Sequence, residues 1–384
     1  MHRVLVTRLR YLGDVVMSTL VCDLLKAGDP SLEVDFLCET VHGPVLQDHP
    51  SIDGVHLLET RRRGMDARAR VGGGGGGRGS LATVRELRRR RYDLAVDLFF
   101  NPRSAWILRL AGIPERIGGT RSARRRLYTR SVHPPTAGDR REILTARVPG
   151  VLGDHVARLA PLEYGTARIP FLEWLAGLPG EGTLIPRLPR RIPSPQTRGE
   201  LAAVGIGDGY VVAAPAATWP SKEWPREHWR ELLAKLPGQV GCPVKVIVPP
   251  GRKDSWLPVE PVQDLVALPP APLERVLEVV GGAAGLVTVD GGVMHAAVAM
   301  GVPTLALFGP TDPGIWFPYA DAGPYRVLAT RPECHPCNLL DCDDFVCLPE
   351  LGPSRVASAF LALLATGPNG EPERGTGCSG QDQT

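Results

Sequence analysis

At 384 residues the chain is longer than one compact core usually supports, which points to two domains. It is 43% hydrophobic with a mean hydropathy near zero. No run of roughly 18 apolar residues occurs, which fits a globular protein and excludes a transmembrane helix. The net charge of +3 conceals an imbalance. Residues 1–192 carry 31 Lys and Arg against 20 Asp and Glu, whereas residues 193–384 carry 13 against 21. The basic half is almost all Arg, which suits phosphates, carboxylates or an anionic membrane surface, or is simply a solvated basic face.

Met1-His2-Arg3 leads directly into a strand at Arg3–Arg8 with no apolar signal segment, so a cytoplasmic chain is expected. Leu9 to Asp14 is the following loop, and Val15–Lys26 reads as an amphipathic helix closed by Gly28 and Pro30. Strand, loop and helix in that order begin a doubly wound α/β domain. Only Gly13 occupies the first turn, where a dinucleotide fingerprint needs three spaced glycines, so a nicotinamide or flavin enzyme is disfavoured. Further strands are expected at 33–39, 55–58 and 92–100, and a basic helix at 80–91 ends in Arg88-Arg89-Arg90-Arg91. Residues 61–79 hold an Arg-rich run and six consecutive glycines with no strand entering them, the pattern of a flexible insertion. Asn101-Pro102-Arg103-Ser104 caps a helix through Ala111, and another short helix is expected near His155.

The proline-rich stretch 186–199 is the expected linker. It divides a domain at 1–190 from a second at 200–352, followed by a helix at 353–366 and a disordered tail at 367–384. The second half restarts with a strand at 210–215, the loop Ala217-Thr218-Trp219-Pro220-Ser221-Lys222-Glu223, a helix at 227–236, a strand at 244–248 and a helix at 273–280. Leu286–Val289 is a short apolar run suited to a buried parallel strand. Asp290-Gly291-Gly292 stops it, and Val293–Met300 forms a helix whose first amides favour phosphate. His295 lies in that first turn. Taken alone, Asp290 is equally a helix cap and His295 a packed core histidine.

Several stretches together resemble glycosyltransferase family 9, the heptosyltransferases of lipopolysaccharide core assembly. They are Arg8–Asp14, Tyr92–Leu98, Arg103-Ser104 with Leu110-Ala111-Gly112, Trp219–Pro225, Asp290–His295 and Phe308–Pro313, in family order. The resemblance implies the GT-B fold, two Rossmann-like domains facing across a cleft, with the last helix crossing back to the first domain. It also implies inverting transfer of a heptose from ADP-heptose to a hydroxyl of a lipopolysaccharide inner-core acceptor, without metal or other cofactor. On that resemblance Asp14 is the general base, Thr218 and Lys222 hold the diphosphate, and Asp290, Gly291, Gly292 and His295 line the donor pocket. Arg103 and His155 match acceptor-side positions. The plain alternatives are a helix cap for Asp14 and a solvated loop lysine for Lys222.

Cys334, Cys337, Cys342 and Cys347 are spaced densely enough for a structural site for zinc or another thiophilic metal, though not in a common zinc-ribbon pattern. Partners expected from these readings are a nucleotide-sugar donor, an anionic glycolipid or other sugar acceptor, and the inner membrane surface, with no nucleic acid. Other functions consistent with parts of the pattern are a family member using another nucleotide sugar or a small soluble acceptor, and a nucleic-acid binder on a Rossmann scaffold. The last lacks interleaved aromatics for single strands and leaves Asp14, Lys222 and the Asp290 turn without a task.

Overall fold

The computed structural model describes residues 2–60, 78–119, 123–132, 147–148, 150–164, 168–179, 183–207, 209–249 and 256–366. The insertion expected at 61–79 lies outside these residues except for Arg78 and Gly79, and the tail from 367 lies wholly outside. Two compact units meet in sequence at Pro189 and Arg190, within the proline-rich stretch.

The first unit is a six-stranded sheet: β1 (Arg3–Thr7), β2 (Glu33–Glu39), β3 (Gly54–Leu58), β4 (Leu94–Asp97), β5 (Glu115–Gly119) and β6 (Arg130–Val132). The second repeats it with β7 (Val211–Ala214), β8 (Val244–Ile247), β9 (Leu265–Leu268), β10 (Gly285–Val289), β11 (Thr304–Phe308) and β12 (Tyr325–Ala329). Spatial order is β3-β2-β1-β4-β5-β6 in one sheet and β9-β8-β7-β10-β11-β12 in the other. Every pairing is parallel, with Val4 opposite Val34 and Leu94 in the first sheet and Val212 opposite Lys245 and Leu286 in the second. This is the doubly wound Rossmann order, in which ligand sites form beyond the carboxyl ends of the strands, beside the central reversal.

The helices that matter to the site are α1 (Leu12–Gly28), α2 (Ser80–Arg90), α3 (Pro102–Leu110), α4 (Val151–Val156), α5 (Arg226–Val240), α6 (Leu273–Gly281), α7 (Gly292–Ala299) and α8 (Pro353–Leu364). None of the described helices is long and apolar enough to cross a membrane. α1 starts three residues before its apolar periodicity does, because the Asp14 carboxylate accepts the Tyr11 N–H (3.1 Å) and closes the first turn. α5 runs past Pro237 to a left-handed Gly241, four residues beyond the helix expected there. Asn101 caps α3 by accepting the Arg103 N–H at 2.9 Å, as its sequence signature predicts.

The second core is built from Val211, Val287, Val289, Leu305 and Leu307 on the sheet and Trp229, Leu233, Val356 and Phe360 on α5 and α8. α8 lays this apolar face on α5, β11 and β12 of its own unit. At the unit boundary the backbone of Arg191 lies so close to Gly281 that a Cβ there would meet the Arg191 carbonyl oxygen at 2.0 Å, and Arg190 Nε donates to the Gly281 carbonyl at 2.9 Å.

In the first unit a buried carboxylate, Asp35 on β2, gathers hydrogen bonds from the Tyr92 hydroxyl, from Arg90 (2.7 Å) and from His56 (3.3 Å). Burial alone would raise the Asp35 carboxyl, but these donors overcome it and hold it at about 2. A depressed carboxyl stabilises the fold above its unfolded value near 4, and that contribution is lost as pH falls towards 2. Asp35→Asn is therefore expected to cost about 2–4 kcal/mol at pH 7, the range for breaking one side of a largely buried ion pair. In chemical denaturation the gap between variant and parent should narrow steadily below pH 4; a gap independent of pH would contradict this account.

Candidate functional site

The second unit concentrates polar groups at the carboxyl ends of β7, β10 and β11. Asp290 follows β10 directly and is buried. Its Oδ2 accepts from Lys222 Nζ at 2.5 Å and from the Thr311 hydroxyl at 2.7 Å. Lys222 comes from the loop after β7 and lies 4.5 Å from the centre of the Trp219 ring, so a cation–π contact and an ion pair both fix its ammonium. Thr218 is exposed on the same loop. Thr311, to which the sequence pointed only as part of the Phe308–Pro313 motif, is buried beneath the carboxylate.

Gly291 and Gly292 lead from Asp290 into α7. Gly291 has an extended φ of −175°, and a Cβ on it would meet only the Val289 carbonyl oxygen at 3.8 Å. The fold itself therefore does not require glycine at 291. What the small residue leaves is room in front of the first amides of α7, the environment that favours an anion. His295, in the first turn of α7, is buried with its Nδ1 2.7 Å from the Tyr319 hydroxyl. Burial and the neighbouring Asp290 push the Tyr319 phenol well above its ordinary range. The phenol stays protonated and shares a hydrogen bond with Nδ1, in which the tautomer of the imidazole decides the donor. No sequence signal marks Tyr319, which is 24 residues from His295.

The segment carrying the cysteines forms part of the same neighbourhood. His335 Nε2 lies 3.1 Å from the Thr311 carbonyl oxygen, and the Asn338 N–H donates to the Pro310 carbonyl at 2.9 Å. The Ser221 hydroxyl donates to the Leu339 carbonyl at 2.6 Å. Residues 335–339 thus tie the Lys222 loop to the Thr311 loop. Cys334 is exposed, Cys337 and Cys342 are partly buried and Cys347 is buried. The four do not come together: among the described residues no group of three or more His, Cys, Asp or Glu side chains is arranged to hold a metal ion.

The first unit presents a second cluster at the ends of β1 and β4. Arg8 pairs with Asp14 Oδ1, donates to the Leu98 carbonyl at 2.5 Å and lies 5.1 Å from the Phe99 ring centre. Asp14 keeps 14% of its side chain exposed, so its carboxylate is both anchored and reachable. Beneath it Asp97, fully buried, accepts from Tyr128 (2.7 Å), Ser104 (2.8 Å) and the Phe99 and Phe100 amides. These bonds shape the loop that carries the Arg8 acceptor, Leu98. Arg103 is turned inward, with Nε donating to Ser80 Oγ at 3.1 Å and NH1 3.5 Å from the buried Glu39. His155 on α4 is buried against α1, where its ring hydrogen-bonds the Met17 backbone. Burial, then Arg8 and Arg158, keep it well below the usual histidine range and hence neutral. His155 is buried, whereas Arg103 keeps 13% of its side chain exposed, the same share as Lys222.

The family model of glycosyltransferase family 9 (heptosyltransferase) matches residues 189–339, which hold every residue of the Lys222–Asp290–Thr311 cluster. Lipopolysaccharide heptosyltransferase 1 of Pseudomonas aeruginosa is 27% identical, over 94% of this chain and 98% of its own length. Among solved structures, a glycosyl transferase family 9 protein from Veillonella parvula superposes with a TM-score of 0.69 at 18% identity, covering 94% of this chain and 97% of that one. ADP-heptose lps heptosyltransferase II of E. coli gives 0.68 at 21% identity, over 95% and 98%. These likenesses show the fold: two Rossmann-like domains of the GT-B class.

Tyr319→Phe deletes the hydroxyl bonded to His295 Nδ1. The substitution is expected to cost about 1 kcal/mol of stability. In nitrogen-labelled NMR spectra the Nδ1 shift of His295 should move on the substitution; unchanged ring shifts would refute the bond.

Proposed function

We propose that the chain, which is similar to glycosyltransferase family 9 (heptosyltransferase) over residues 189–339, transfers a heptose from ADP-heptose to a hydroxyl of a lipopolysaccharide inner-core acceptor, with inversion at the anomeric carbon. The observation that carries this reading is the Lys222–Asp290–Thr311 cluster beside the start of α7, within the part of the chain matched by the family. A leaving diphosphate is the most demanding group in such a transfer, because negative charge builds on it as the glycosidic bond breaks. Lys222 offers an ammonium already aimed by Asp290 and Trp219, the α7 amides offer oriented donors, and His295 adds a ring nitrogen. Thr218, exposed on the Lys222 loop, completes the donor side. Together these groups take the role that a divalent cation has in other sugar transferases.

In the first unit Asp14 acts as the general base. The acceptor hydroxyl attacks the anomeric carbon, its proton passes to an Asp14 carboxylate oxygen, and the bond from that carbon to the diphosphate breaks to release ADP. Attack opposite the leaving group gives the inverted product. Arg8 holds one Asp14 oxygen and the Tyr11 N–H the other, so the carboxylate is oriented before substrate arrives. Arg103, partly exposed beside this loop cluster, stands on the acceptor side, and the buried His155 shapes the wall behind it.

Asp14→Asn should lower turnover by about a hundredfold to ten-thousandfold, the usual worth of a general base, while ADP still raises the melting temperature as it does for the parent. Retained turnover near the parental rate would remove Asp14 from the mechanism. Lys222→Ala should weaken ADP binding by about tenfold to a hundredfold, the worth of one charge-assisted hydrogen bond. A thermal-shift panel of ADP, ADP-heptose, UDP-sugars, NAD and single-stranded oligonucleotides reads the donor directly, because a ligand of the folded state stabilises by about 2.7 kcal/mol at one hundred times its Kd. Stabilisation by UDP-sugars and not ADP would assign a different donor, and a response to oligonucleotides alone would overturn the transferase reading.

A further inference from the structure

We propose that the outward face formed by α2 and α3 is a docking surface for an anionic phospholipid bilayer. The exposed residues of these two helices are Leu81, Ala82, Arg85, Arg88 and Arg89 on α2 and Pro102, Trp106, Arg109 and Leu110 on α3, with Arg91 just beyond α2. Five of them are arginines and none is acidic. The nearby acids are already engaged: Glu86 with His56 and Arg78, and Asp93 with the amides of His2 and Arg3. Arg90 is likewise committed to Asp35 and Glu33 and does not add to the surface.

The arginines are organised. Arg85, Arg88, Arg89 and Arg91 line one concavity of about 460 Å³, the size of a phosphate-bearing headgroup and its water. Arg88 also donates to the Leu110 carbonyl at 2.5 Å, which fixes the basic concavity against the end of α3. There the chemistry changes. Trp106 and Leu110 sit one turn apart on α3 with 52% and 50% of their surfaces exposed, an apolar pair that the fold leaves unburied. Guanidinium groups beside an exposed indole and leucine match the boundary between headgroups and acyl chains, where Trp settles and Arg reaches to phosphate. Nucleic acid would be satisfied by the charges alone and leaves the pair without a partner; a single Trp is a poor stacking platform. The other end of the same face is joined to the acceptor-side loops of this unit, since Arg103 donates to Ser80 at the start of α2.

The test is co-sedimentation of the full chain with vesicles of phosphatidylcholine alone or mixed with phosphatidylglycerol. The expected result is binding only to the anionic vesicles, weakened by salt, and reduced about a hundredfold by the combined Arg85→Glu, Arg88→Glu and Arg89→Glu substitutions. Trp106→Ala with Leu110→Ala should reduce binding in a manner salt does not reproduce. Should the charge reversal impair folding, Arg85→Gln with Arg89→Gln leaves the Arg88 bond to Leu110 intact and reads the same loss at smaller size. Equal binding to both vesicle types, no binding to either, or parental binding by the folded arginine variants would overturn the proposal. So would an oligonucleotide that occupies this face and is not displaced by anionic vesicles. Vesicle binding is read without turnover, so its failure leaves the transfer reaction untouched, and failure of that reaction leaves the docking face to be judged by itself.

Discussion

The second unit depends on one carboxylate. Asp290 ends the central strand β10, and burial makes an unpaired charge there costly, so it recruits Lys222 from the loop after β7 and Thr311 from the loop after β11. Three strand ends are thereby drawn to a single oxygen atom. The electrostatics that stabilise the fold and those that receive an anion are the same set of groups. A lysine held by a carboxylate has lost its side-chain entropy during folding and needs to lose little more on binding.

The first unit solves a related problem with the opposite charge at the centre. Arg8 is largely removed from water, which pushes its guanidinium down from its ordinary range, and Asp14 and Asp97 offset part of that. The same side chain reaches the start of α1 through Asp14 and the end of β4 through the Leu98 carbonyl. Both units thus place an ion pair after the first strand of the sheet: Lys222 with Asp290 joins that strand to its neighbour, and Arg8 with Asp14 joins it to α1 while Arg8 bonds the neighbour through the Leu98 carbonyl. The identical strand order of the two sheets puts those pairs at equivalent ends of each.

Much of this was legible in the sequence. The strands expected at 33–39 and 286–289, the Asn101-Pro102 helix start and the Asp290-Gly291-Gly292 turn all coincide with observed elements, because local chemistry and tertiary environment agree there. The strands β5, β6, β9 and β12, the last three at sheet edges, were not legible. Glu115–Gly119 contains two glycines, Leu265–Leu268 is only partly buried, and Arg130–Val132 is three residues long, so each owes its conformation to the strand beside it. Asp14, Lys222 and His295 could be picked out by motif, but their partners could not. Tyr319 and Thr311 join the site through folding alone, and the inward orientation of Arg103 and His155 follows from Glu39 and Met17, which no short pattern connects to them.

The strap at 335–339 has a consequence for how the chain can be divided. Ser221 is buried, and its hydroxyl is satisfied by the Leu339 carbonyl, while Pro310 relies on the Asn338 amide. A truncation after β12 would keep all six strands of the second sheet yet strip the outer support from the two loops that carry Lys222 and Thr311. The smallest autonomous fragment able to hold this pocket therefore extends well beyond the last strand, to the residues that stitch its rim.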